Sequence, residues 1–328
     1  MMNKIVGIDI GGTKCAVVLG RGTFSPGEEA LEVIDRASFP TVQENGPEKV
    51  VARICGEIRQ LLDRHGEAAA GLSGIGISCG GPLDGDKGLI LSPPNLPGWD
   101  QIPIVRMVEE ALGVKTRLKN DADACALAEW KFGAGRGSSN MIFLTFGTGL
   151  GAGFILNGRL YSGASNMAGE VGHIRMEKFG PTGYGKSGSL EGFCSGGGIA
   201  QLARSKVLQK LQCGEKVSFC PAIGQLGEIT AKSVWEAAEA GDELAKEVYI
   251  ISGEYLGRGL SLLIDLLNPD RIVIGSIFAR CNDLLWPPAS KVIQEECLRV
   301  SARDCRVVPA GLGEQVGDYA ALTVALYE

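Results

Sequence analysis

Residues 4–20 read KIVGIDIGGTKCAVVLG, and this stretch decides the fold. Short apolar runs lie on both sides of DIGGTK at residues 9–14, and the second run ends at Gly20-Arg21-Gly22. The pattern predicts a strand, a tight turn and a second strand. Rossmann and phosphate-loop nucleotide sites need a helix after the glycine turn, so the pattern argues against both.

Residues 141–158 repeat this plan. The apolar run MIFLTF leads into Gly147-Thr148-Gly149-Leu150-Gly151, and a second apolar run ends at the turn Asn157-Gly158. Two such hairpins suggest a structural duplication. The small residues at each turn would leave backbone N–H groups open to an anion. The alternative is that both are ordinary hairpins, whose glycines only allow positive φ angles.

The first turn also carries side chains that suit a nucleotide. Thr13 would add a hydroxyl donor and Lys14 a cation. Asp9 ends a strand beside the turn, where its carboxylate could hold a hydrated Mg²⁺ on a phosphate chain. Together the two turns favour phosphate binding.

Composition excludes several classes of protein. The chain has 328 residues, 45% of them apolar, and a net charge of −6 without a basic cluster, which argues against nucleic acid and anionic lipid. No apolar run reaches the roughly 18 residues of a membrane helix, and Asp9 comes too early for a secretory signal. Ten cysteines without a C-x-x-C pair predict a cytoplasmic chain with free thiols.

Residues 180–187 read GPTGYGKS, which matches the phosphate-loop pattern at every specified position. Such a loop needs a buried strand before it and a helix that begins at Lys186-Ser187. The preceding residues 171–179 are polar, and Gly188 and Gly192 lie where the first helical turns should be. The spelling is therefore interpreted as coincidence.

Several motifs together make the chain resemble the ROK family of bacterial sugar kinases and sugar-responsive repressors. In order, they are DIGGTK, GISCGGPLD, NLPGW, NDADACALAEW, FGTGLGAGFILNG, AGEVGHI and NPDRIVIG. The resemblance covers nearly the whole chain. It implies an actin/hexokinase-like ATPase fold, in which two α/β domains with mixed sheets flank a cleft that holds ATP and sugar.

The remaining patterns agree with an α/β fold. Hydrophobic periodicity and stop signals predict five further elements. They are helices at 47–65, 121–132 and 251–267, and strands at 75–78 and 271–274. The expected division is a smaller N-terminal domain at 1–120, completed by a C-terminal helix at about 314–328, and a larger domain at 121–313.

Asp121 is the candidate catalytic base. A strand-like segment gives way to a helix at Asn120-Asp121, and an aspartate there is often only a helix N-cap. The resemblance implies that Asp121 takes the proton of the sugar 6-hydroxyl while Asn120 bonds the sugar. Phosphoryl transfer has a loose transition state, so an ordinary carboxylate suffices.

The resemblance also implies the residues that bind each substrate. Carboxylates and amides read sugar hydroxyls well, although an isolated Glu or His is more often a surface or structural residue. The candidates for sugar binding are Gly80, Gly81, Asn95, Asn120, Asp121, Glu170, His173 and Glu191. The candidates for nucleotide binding are Asp9 (with Mg²⁺), Gly11, Gly12, Thr13, Lys14, Gly147, Thr148, Gly149, Gly275 and Gly313.

The resemblance places a zinc loop at the GPTGYGKS stretch. Many family members carry three cysteines in the pattern C-x-C-G-x-x-G-C-x-E, which bind zinc with the histidine of the G-H motif. Aligned on the glycines and Glu191, the cysteine positions fall at Thr182, Tyr184 and Ser189. His173 alone cannot hold a structural zinc, so no zinc is expected. Glu191 depends on this loop for its position.

The expected function is an ATP- and Mg²⁺-dependent hexose 6-kinase, with glucose as the first candidate sugar. N-acetylmannosamine, N-acetylglucosamine and fructose kinases of the family share most of these residues and remain alternatives. A sugar-responsive repressor is disfavoured, because the first strand begins at about residue 4 and leaves no room for a DNA-binding domain. A non-catalytic sugar-binding protein is a third possibility, and homodimerisation is expected from the resemblance.

Overall fold

The computed structural model describes residues 2–25, 27–42 and 46–327. The predicted N-terminal domain begins at Met1 and the predicted C-terminal helix ends at Glu328, and both residues lie outside these ranges. The strands are β1 Asn3–Ile10, β2 Lys14–Thr23, β3 Ala30–Pro40, β4 Gly74–Cys79, β5 Leu83–Asp84, β6 Leu89–Ile90, β7 Thr116–Asn120, β8 Met141–Phe146, β9 Leu150–Leu156, β10 Arg159–Tyr161, β11 Thr182–Gly183, β12 Lys186–Ser187, β13 Arg271–Ile274 and β14 Arg306–Pro309. The helices are α1 Gly46–Arg64, α2 Ile104–Leu112, α3 Asp121–Phe132, α4 Leu190–Phe193, α5 Gly196–Gln212, α6 Ala231–Glu239, α7 Glu243–Leu267, α8 Ile277–Arg280, α9 Asn282–Glu296, α10 Arg299–Asp304 and α11 Val316–Leu326.

The chain divides into two compact units. Unit one comprises Met1–Ser139, Gly153–Ala168 and Gly311–Glu328, and unit two comprises Asn140–Ala152 and Gly169–Ala310. The boundary expected between residues 120 and 121 falls inside unit one, between β7 and α3.

Unit one contains a five-stranded sheet of order β3-β2-β1-β4-β7. The pairs β1–β2 and β2–β3 are antiparallel, whereas β1, β4 and β7 run parallel to one another. Side chains of β1 alternate between the two faces of the sheet. Val6 and Ile8 pack in one cluster with Ile58 of α1, and Ile5 packs in another with Leu322 of α11. The sheet therefore has a helix on each face.

Two glycines allow α11 to approach this sheet closely. A Cβ atom added at Gly7 would lie 2.7 Å from the backbone nitrogen of Leu322, and one added at Gly76 would lie 2.2 Å from the carbonyl oxygen of Ala321. Both distances are far below van der Waals contact, so any side chain at either position would displace α11.

Unit two is built around parallel strands and a pair of long helices. β13 pairs in parallel with both β8 and β14, and these three strands lie wholly in unit two. They belong to a five-stranded sheet of order β10-β9-β8-β13-β14. α7 and α9 meet at two glycines of α7. A Cβ atom at Gly253 would lie 2.7 Å from the carbonyl oxygen of Leu285, and one at Gly257 would lie 2.7 Å from that of Ala289.

The sequence-based elements are largely confirmed. Both hairpins form, and α3 and β13 have the predicted bounds. The helix expected from residue 251 ends at Leu267 as predicted but begins at Glu243, eight residues earlier. Asp242 explains the difference, because its carboxylate caps this helix by accepting a hydrogen bond from Ala245 N at 3.0 Å.

All ten cysteines have free thiols, as the sequence predicts. Within the described ranges, no helix combines the length and the apolar character that crossing a bilayer requires.

The close approach of α11 gives a test of the packing. Gly76→Ala should lower the free energy of unfolding of unit one by about 1–3 kcal/mol, because the new methyl group overpacks the interface with α11. Urea denaturation followed by circular dichroism would measure it. Gly56→Ala is the matched control: its added Cβ meets nothing within 4 Å in the middle of α1, so it should stabilise the protein by about 0.4–1 kcal/mol. A Gly76→Ala variant as stable as the parent would contradict the packing described.

Candidate active site

Three parallel strands of unit one end at the same edge of the sheet. In the register of the sheet, Ile10 of β1 lies opposite Cys79 of β4, and Cys79 lies opposite Asn120 of β7. Asp9 precedes the first of these positions, and Gly80 follows the second. The carboxyl ends of parallel strands thus collect the predicted catalytic, sugar-binding and metal-binding residues of unit one.

Asn120, not Asp121, is the N-cap of α3. Asn120 Oδ1 accepts a hydrogen bond from Ala122 N at 2.9 Å, and Asp121 is the first helical residue. Asp121 Oδ1 also accepts from Ala122 N, at 2.8 Å. Asp121 is exposed to solvent, yet the protein atoms around it raise the pKa of its carboxylate by desolvation, while the Ala122 amide opposes the rise. Asn120 therefore performs the N-capping role that could have explained an aspartate at position 121.

The amides predicted to bind sugar converge on the same place. A Cβ atom built at Gly80 would lie 3.5 Å from Asn95 Nδ2 and 3.8 Å from Asp121 Oδ2, and one built at Gly81 would lie 3.0 Å from Asn120 Nδ2. Asn95, Asn120 and Asp121 thus surround the glycine pair. A ligand beside this glycine pair would meet two amides, one carboxylate and the glycine backbone.

The first glycine turn lies against the backbone of Asn95. Gly11 N donates to Lys14 O at 3.1 Å, which closes the turn after β1. A Cβ atom at Gly12 would lie only 2.3 Å from the carbonyl oxygen of Asn95, so this position must be glycine. The turn is also tied to Thr41, whose amide donates to Thr13 O at 2.9 Å. The predicted phosphate turn and the predicted sugar residue Asn95 are therefore neighbours.

Asp9 lies among charged side chains. Its pKa is raised to about 6, first because burial desolvates the carboxylate, and then because Asp121 and Asp318 add negative charge nearby. Lys14 and Arg36 oppose this rise. Asp318, in the first turn of α11, accepts a hydrogen bond from Arg36 Nε at 2.9 Å. The sequence analysis missed Asp318, because no local pattern links the two ends of the chain.

The second glycine turn, in unit two, lies beside a helix N-terminus. Gly147 N donates to Gly149 O at 3.1 Å, and Gly147 O accepts from Gly196 N, the first residue of α5, at 2.8 Å. Ser195 caps α5 by accepting from Gly198 N at 3.0 Å. Backbone amides of the turn and the positive end of a seventeen-residue helix thus lie together, an arrangement that suits a phosphate. The serine before three glycines was the sequence signal for this helix start, and the sequence analysis did not use it.

Glu191 links the sugar-binding candidates of unit two to this turn. Its Oε2 accepts a hydrogen bond from Leu150 N at 2.9 Å, and a Cβ atom at Gly149 would lie 2.8 Å from the same oxygen. A Cβ atom at Gly172 would lie 3.2 Å from Glu191 Cβ. Glu170 lies two residues before Gly172 and His173 directly after it, so the structure brings Glu191 near that motif.

The GPTGYGKS stretch is not a phosphate loop. Lys186 and Ser187 form β12, which pairs with β11 across a two-residue turn, and the next helix, α4, has only four residues. Tyr184 and Gly185 at the turn both have positive φ, 43° and 74°. This is the backbone of a tight hairpin, so the strand and helix that a phosphate loop needs are absent at this stretch.

The residues at the aligned cysteine positions do not fit a zinc ion. A structural zinc takes four sulfur, nitrogen or oxygen ligands. Thr182 and Tyr184 supply no thiolate, and Ser189 Oγ already accepts a hydrogen bond from Gly192 N at 3.2 Å. Over residues 2–25, 27–42 and 46–327, no group of three or more His, Cys, Asp and Glu side chains is placed to hold a metal ion.

Hydrogen bonds order this loop. Two hydrogen bonds join Thr182 and Gln201. Thr182 N donates to Gln201 Oε1 at 3.0 Å, and Gln201 Nε2 donates to Thr182 O at 2.8 Å. Arg175 Nη1 donates to Ser187 O at 2.8 Å, and Lys186 Nζ donates to His173 O at 2.6 Å. The His173 ring packs edge-on against Tyr184, with 5.9 Å between ring centroids. Hydrogen bonds from several directions therefore hold the loop that leads to Glu191.

The two predicted nucleotide-binding glycines lie in different units. Gly275 follows β13, and the next residue, Ser276, has a φ of 54°. A Cβ atom at Gly147 would lie 3.7 Å from Ser276 Oγ, so this bend is adjacent to the second glycine turn. Gly313, in unit one, has a φ of 55° and open space around the position of a Cβ atom.

A family model described as the ROK family matches residues 5–327 of the chain. A glucokinase from Halalkalibacterium halodurans is 33% identical over 316 residues, which are 95% of this chain and 92% of that protein.

Two solved structures of ROK family proteins are similar to this chain over nearly its whole length. A ROK family glucokinase from Streptomyces griseus, in complex with glucose and AMPPNP, has a TM-score of 0.74 and 28% identity, over 98% of this chain and 99% of that one. A ROK family transcriptional regulator, homologous to the Escherichia coli MLC protein, has a TM-score of 0.80 and 27% identity, over 98% of this chain and 77% of that one. These likenesses confirm the predicted actin/hexokinase-like ATPase fold.

The raised pKa of Asp9 predicts how stability depends on pH. The folded pKa lies above the unfolded value, so ionisation of Asp9 opposes folding, and this cost grows from about pH 4 to pH 6 and is constant above. Asp9→Asn removes the charge. It should therefore raise the free energy of unfolding by about 1–3 kcal/mol at pH 8, and by less at pH 4.

Thermal and urea denaturation of both proteins between pH 4 and pH 8 would measure this difference. Asp63→Asn, at an exposed aspartate of α1, controls for the loss of one carboxylate elsewhere in unit one. An Asp9→Asn variant less stable than the parent at pH 8 would show that Lys14 and Arg36 outweigh burial and the neighbouring carboxylates.

Proposed function

This chain belongs to the ROK family, and we propose that it is a sugar kinase that transfers the γ-phosphoryl group of ATP to the 6-hydroxyl group of a hexose, with glucose as the first candidate. The observation that carries the proposal is the cluster of polar side chains around Gly80 and Gly81 in unit one. There Asp121, Asn120 and Asn95 converge on the Gly80-Gly81 pair, beside the glycine turn that begins at Gly11. A hydroxyl group bound there would meet a carboxylate that can take its proton.

Asp121 acts as the base. The sugar oxygen forms a bond to the γ-phosphorus while the bond from that phosphorus to the β–γ bridging oxygen breaks. The hydroxyl proton passes to Asp121, and ADP leaves. The raised pKa of Asp121 suits this task, because a base is most effective when its pKa approaches the working pH.

Two sets of residues are proposed to bind the nucleotide. In unit two, the amides at Gly147-Thr148-Gly149 and the N-terminus of α5 bind phosphate oxygens, and Gly275 borders the nucleotide. In unit one, the Gly11–Lys14 turn adds backbone donors and a cation, and Gly313 makes the remaining contact. When bound, Mg²⁺ would offset charge on the β- and γ-phosphates. Asp9 fits that ion, because a desolvated carboxylate among other carboxylates favours a hard cation.

The residues proposed to bind the sugar are two amides, two carboxylates and one histidine. Asn95 and Asn120 can each donate and accept, Glu170 and Glu191 accept, and His173 can do either. The same set would also suit N-acetylmannosamine, N-acetylglucosamine or fructose, so the preferred sugar is a matter for assay.

A coupled assay of ADP release, with ATP, Mg²⁺ and a panel of these four sugars, tests the proposal. Glucose should support turnover, and the sugar with the highest kcat/KM identifies the substrate. The transcriptional regulator of similar fold makes a non-catalytic sugar sensor the alternative. That alternative would be favoured if one sugar raised the melting temperature while no sugar in the panel released ADP.

Asp121→Asn should lower kcat by about 10²–10⁴, because the amide cannot take the proton. Glucose should still bind within a few-fold of the parent Kd, since the amide keeps the shape of the side chain. Turnover and calorimetry would measure both. Asp123→Asn is the matched control: Asp123 lies on the same helix, is buried, and accepts a hydrogen bond from Ser162 Oγ at 3.1 Å. A control with parental turnover beside an Asp121→Asn variant that kept most of its activity would remove Asp121 from this role.

We further propose that no structural zinc holds the 180–192 loop, because its hydrogen bonds already order it. Dialysis against EDTA, followed by the return of Mg²⁺, should leave the melting temperature and turnover unchanged. Elemental analysis of the purified protein should find well below one zinc per chain. A stoichiometric zinc, or a loss of turnover that zinc alone restores, would contradict this.

We propose a homodimer as the assembled form. Leu262 and Leu266 of α7 are 42% and 77% exposed, and Leu298 and Val300 around the start of α10 are 68% and 63% exposed. Leu298 N donates to Asp265 Oδ1 of α7 at 3.2 Å, so these side chains share one surface. A second copy would cover this patch. Sedimentation equilibrium that gave the mass of a single chain would contradict a dimer.

The free thiols support a cytoplasmic location, since reducing compartments keep cysteines unpaired. The proposed partners are accordingly the sugar, ATP and a second copy of the chain.

A further inference from the structure

Glu129 is a fully buried carboxylate that the proposed reaction does not use. It lies on the last turn of α3, with 0% of its surface exposed. Its Oε2 accepts hydrogen bonds from Ala134 N at 2.7 Å and from Gly311 N at 3.0 Å, and its Oε1 accepts from Leu312 N at 2.9 Å. Three backbone amides from two chain segments thus point at one side chain.

This arrangement fixes the path of the backbone. A buried carboxylate is costly unless it is hydrogen-bonded, and bonds to a charged acceptor are stronger than neutral ones. A Cβ atom at Gly133 would lie 2.0 Å from Glu129 Oε2, and one at Gly311 would lie 2.8 Å from Ala134 N. The two glycines therefore leave the space that the carboxylate and its donors occupy.

The segment that Glu129 holds leads directly to the nucleotide-binding candidate Gly313. Gly311 is the first residue of unit one after the chain leaves unit two. Leu312 packs in the cluster that contains Ala124 of α3 and Ala320 of α11. Gly313 follows with a positive φ and open space around it. Any shift at Gly311 or Leu312 would therefore displace Gly313.

We infer that Glu129 is a positioning residue for the nucleotide, which acts by holding Gly311 and Leu312 so that Gly313 lies where the nucleotide is bound. The inference rests on the proposed function, because it assigns Gly313 a nucleotide contact. Asp121 and Glu129 are eight residues apart on α3, about 12 Å along the helix axis. One helix thus carries the base at its first residue and the anchor of the nucleotide segment near its last.

Glu129→Gln tests this role while it keeps the shape of the side chain. The new amide nitrogen cannot accept a hydrogen bond, so at least one of the three backbone donors loses its partner. The KM for ATP should rise about tenfold or more, which matches the loss of one hydrogen bond to a charged group. The KM for glucose should change less than about twofold. Backbone hydrogen exchange at Gly311 and Leu312 should become faster by a similar factor.

Leu61→Ala is the matched control for lost stability. Leu61 lies on α1 and is fully buried in the core cluster that contains Ile58, so its truncation destabilises unit one away from residues 311–313. This control should keep the parental KM for ATP. An equal rise in both variants, or a parental KM for ATP in Glu129→Gln, would overturn the positioning role.

If the proposed function were wrong, the parent protein itself would release no ADP with any sugar, which is distinct from a failure of the positioning role. Calorimetry with AMPPNP then supplies the readout. Weaker binding by Glu129→Gln than by the parent, by about tenfold, would still support the positioning role. Equal binding by the two proteins, or no binding by either, would overturn it.

Discussion

The candidate site depends on one constraint, the parallel direction of β1, β4 and β7. Because these strands run the same way, their carboxyl ends meet at one edge, and Asp9, Gly80 and Asn120 are brought together from three distant parts of the sequence. The glycines Gly7 and Gly76 secure this arrangement, since they let α11 pack directly against two of the strands. The same helix brings Asp318 to the charges around Asp9.

This edge of the sheet favours function over stability. Burial of Asp9 opposes its ionisation, and the negative charges of Asp121 and Asp318 nearby oppose it further, so its pKa is raised. Lys14 and Arg36 offset only part of that cost. In the proposed function, a cation bound with the phosphate chain would supply positive charge at this edge. Without a ligand, the repulsion remains in the folded protein.

Local signals in the sequence predicted local structure well. The glycine turns gave both hairpins, and α3 ends at Gly133 and α7 at Asn268, as the stop signals indicated. The start of α7 was missed, because the prediction followed the leucines from Leu256 onward, although Ala245, Val248 and Tyr249 continue the same buried face. Asp318 and Glu129 could not be found in this way. Each acts through a contact with a distant segment, and no periodicity or motif records such a contact.

One feature found in both units, a carboxylate bonded to backbone amides, explains how a chain with so many glycines keeps its loops in defined positions. The sequence has 48 glycines, and glycine loops lose much conformational entropy when they are fixed. In each unit a carboxylate bonded to backbone amides fixes one such loop: Glu129 holds Gly311 and Leu312, and Glu191 holds Leu150 beside the second turn. Charged acceptors make strong bonds to amides, so one side chain can hold a segment that has few side-chain contacts of its own. Glycine thus permits close approach of the backbone to a ligand, and the buried or half-buried carboxylate determines where that backbone lies.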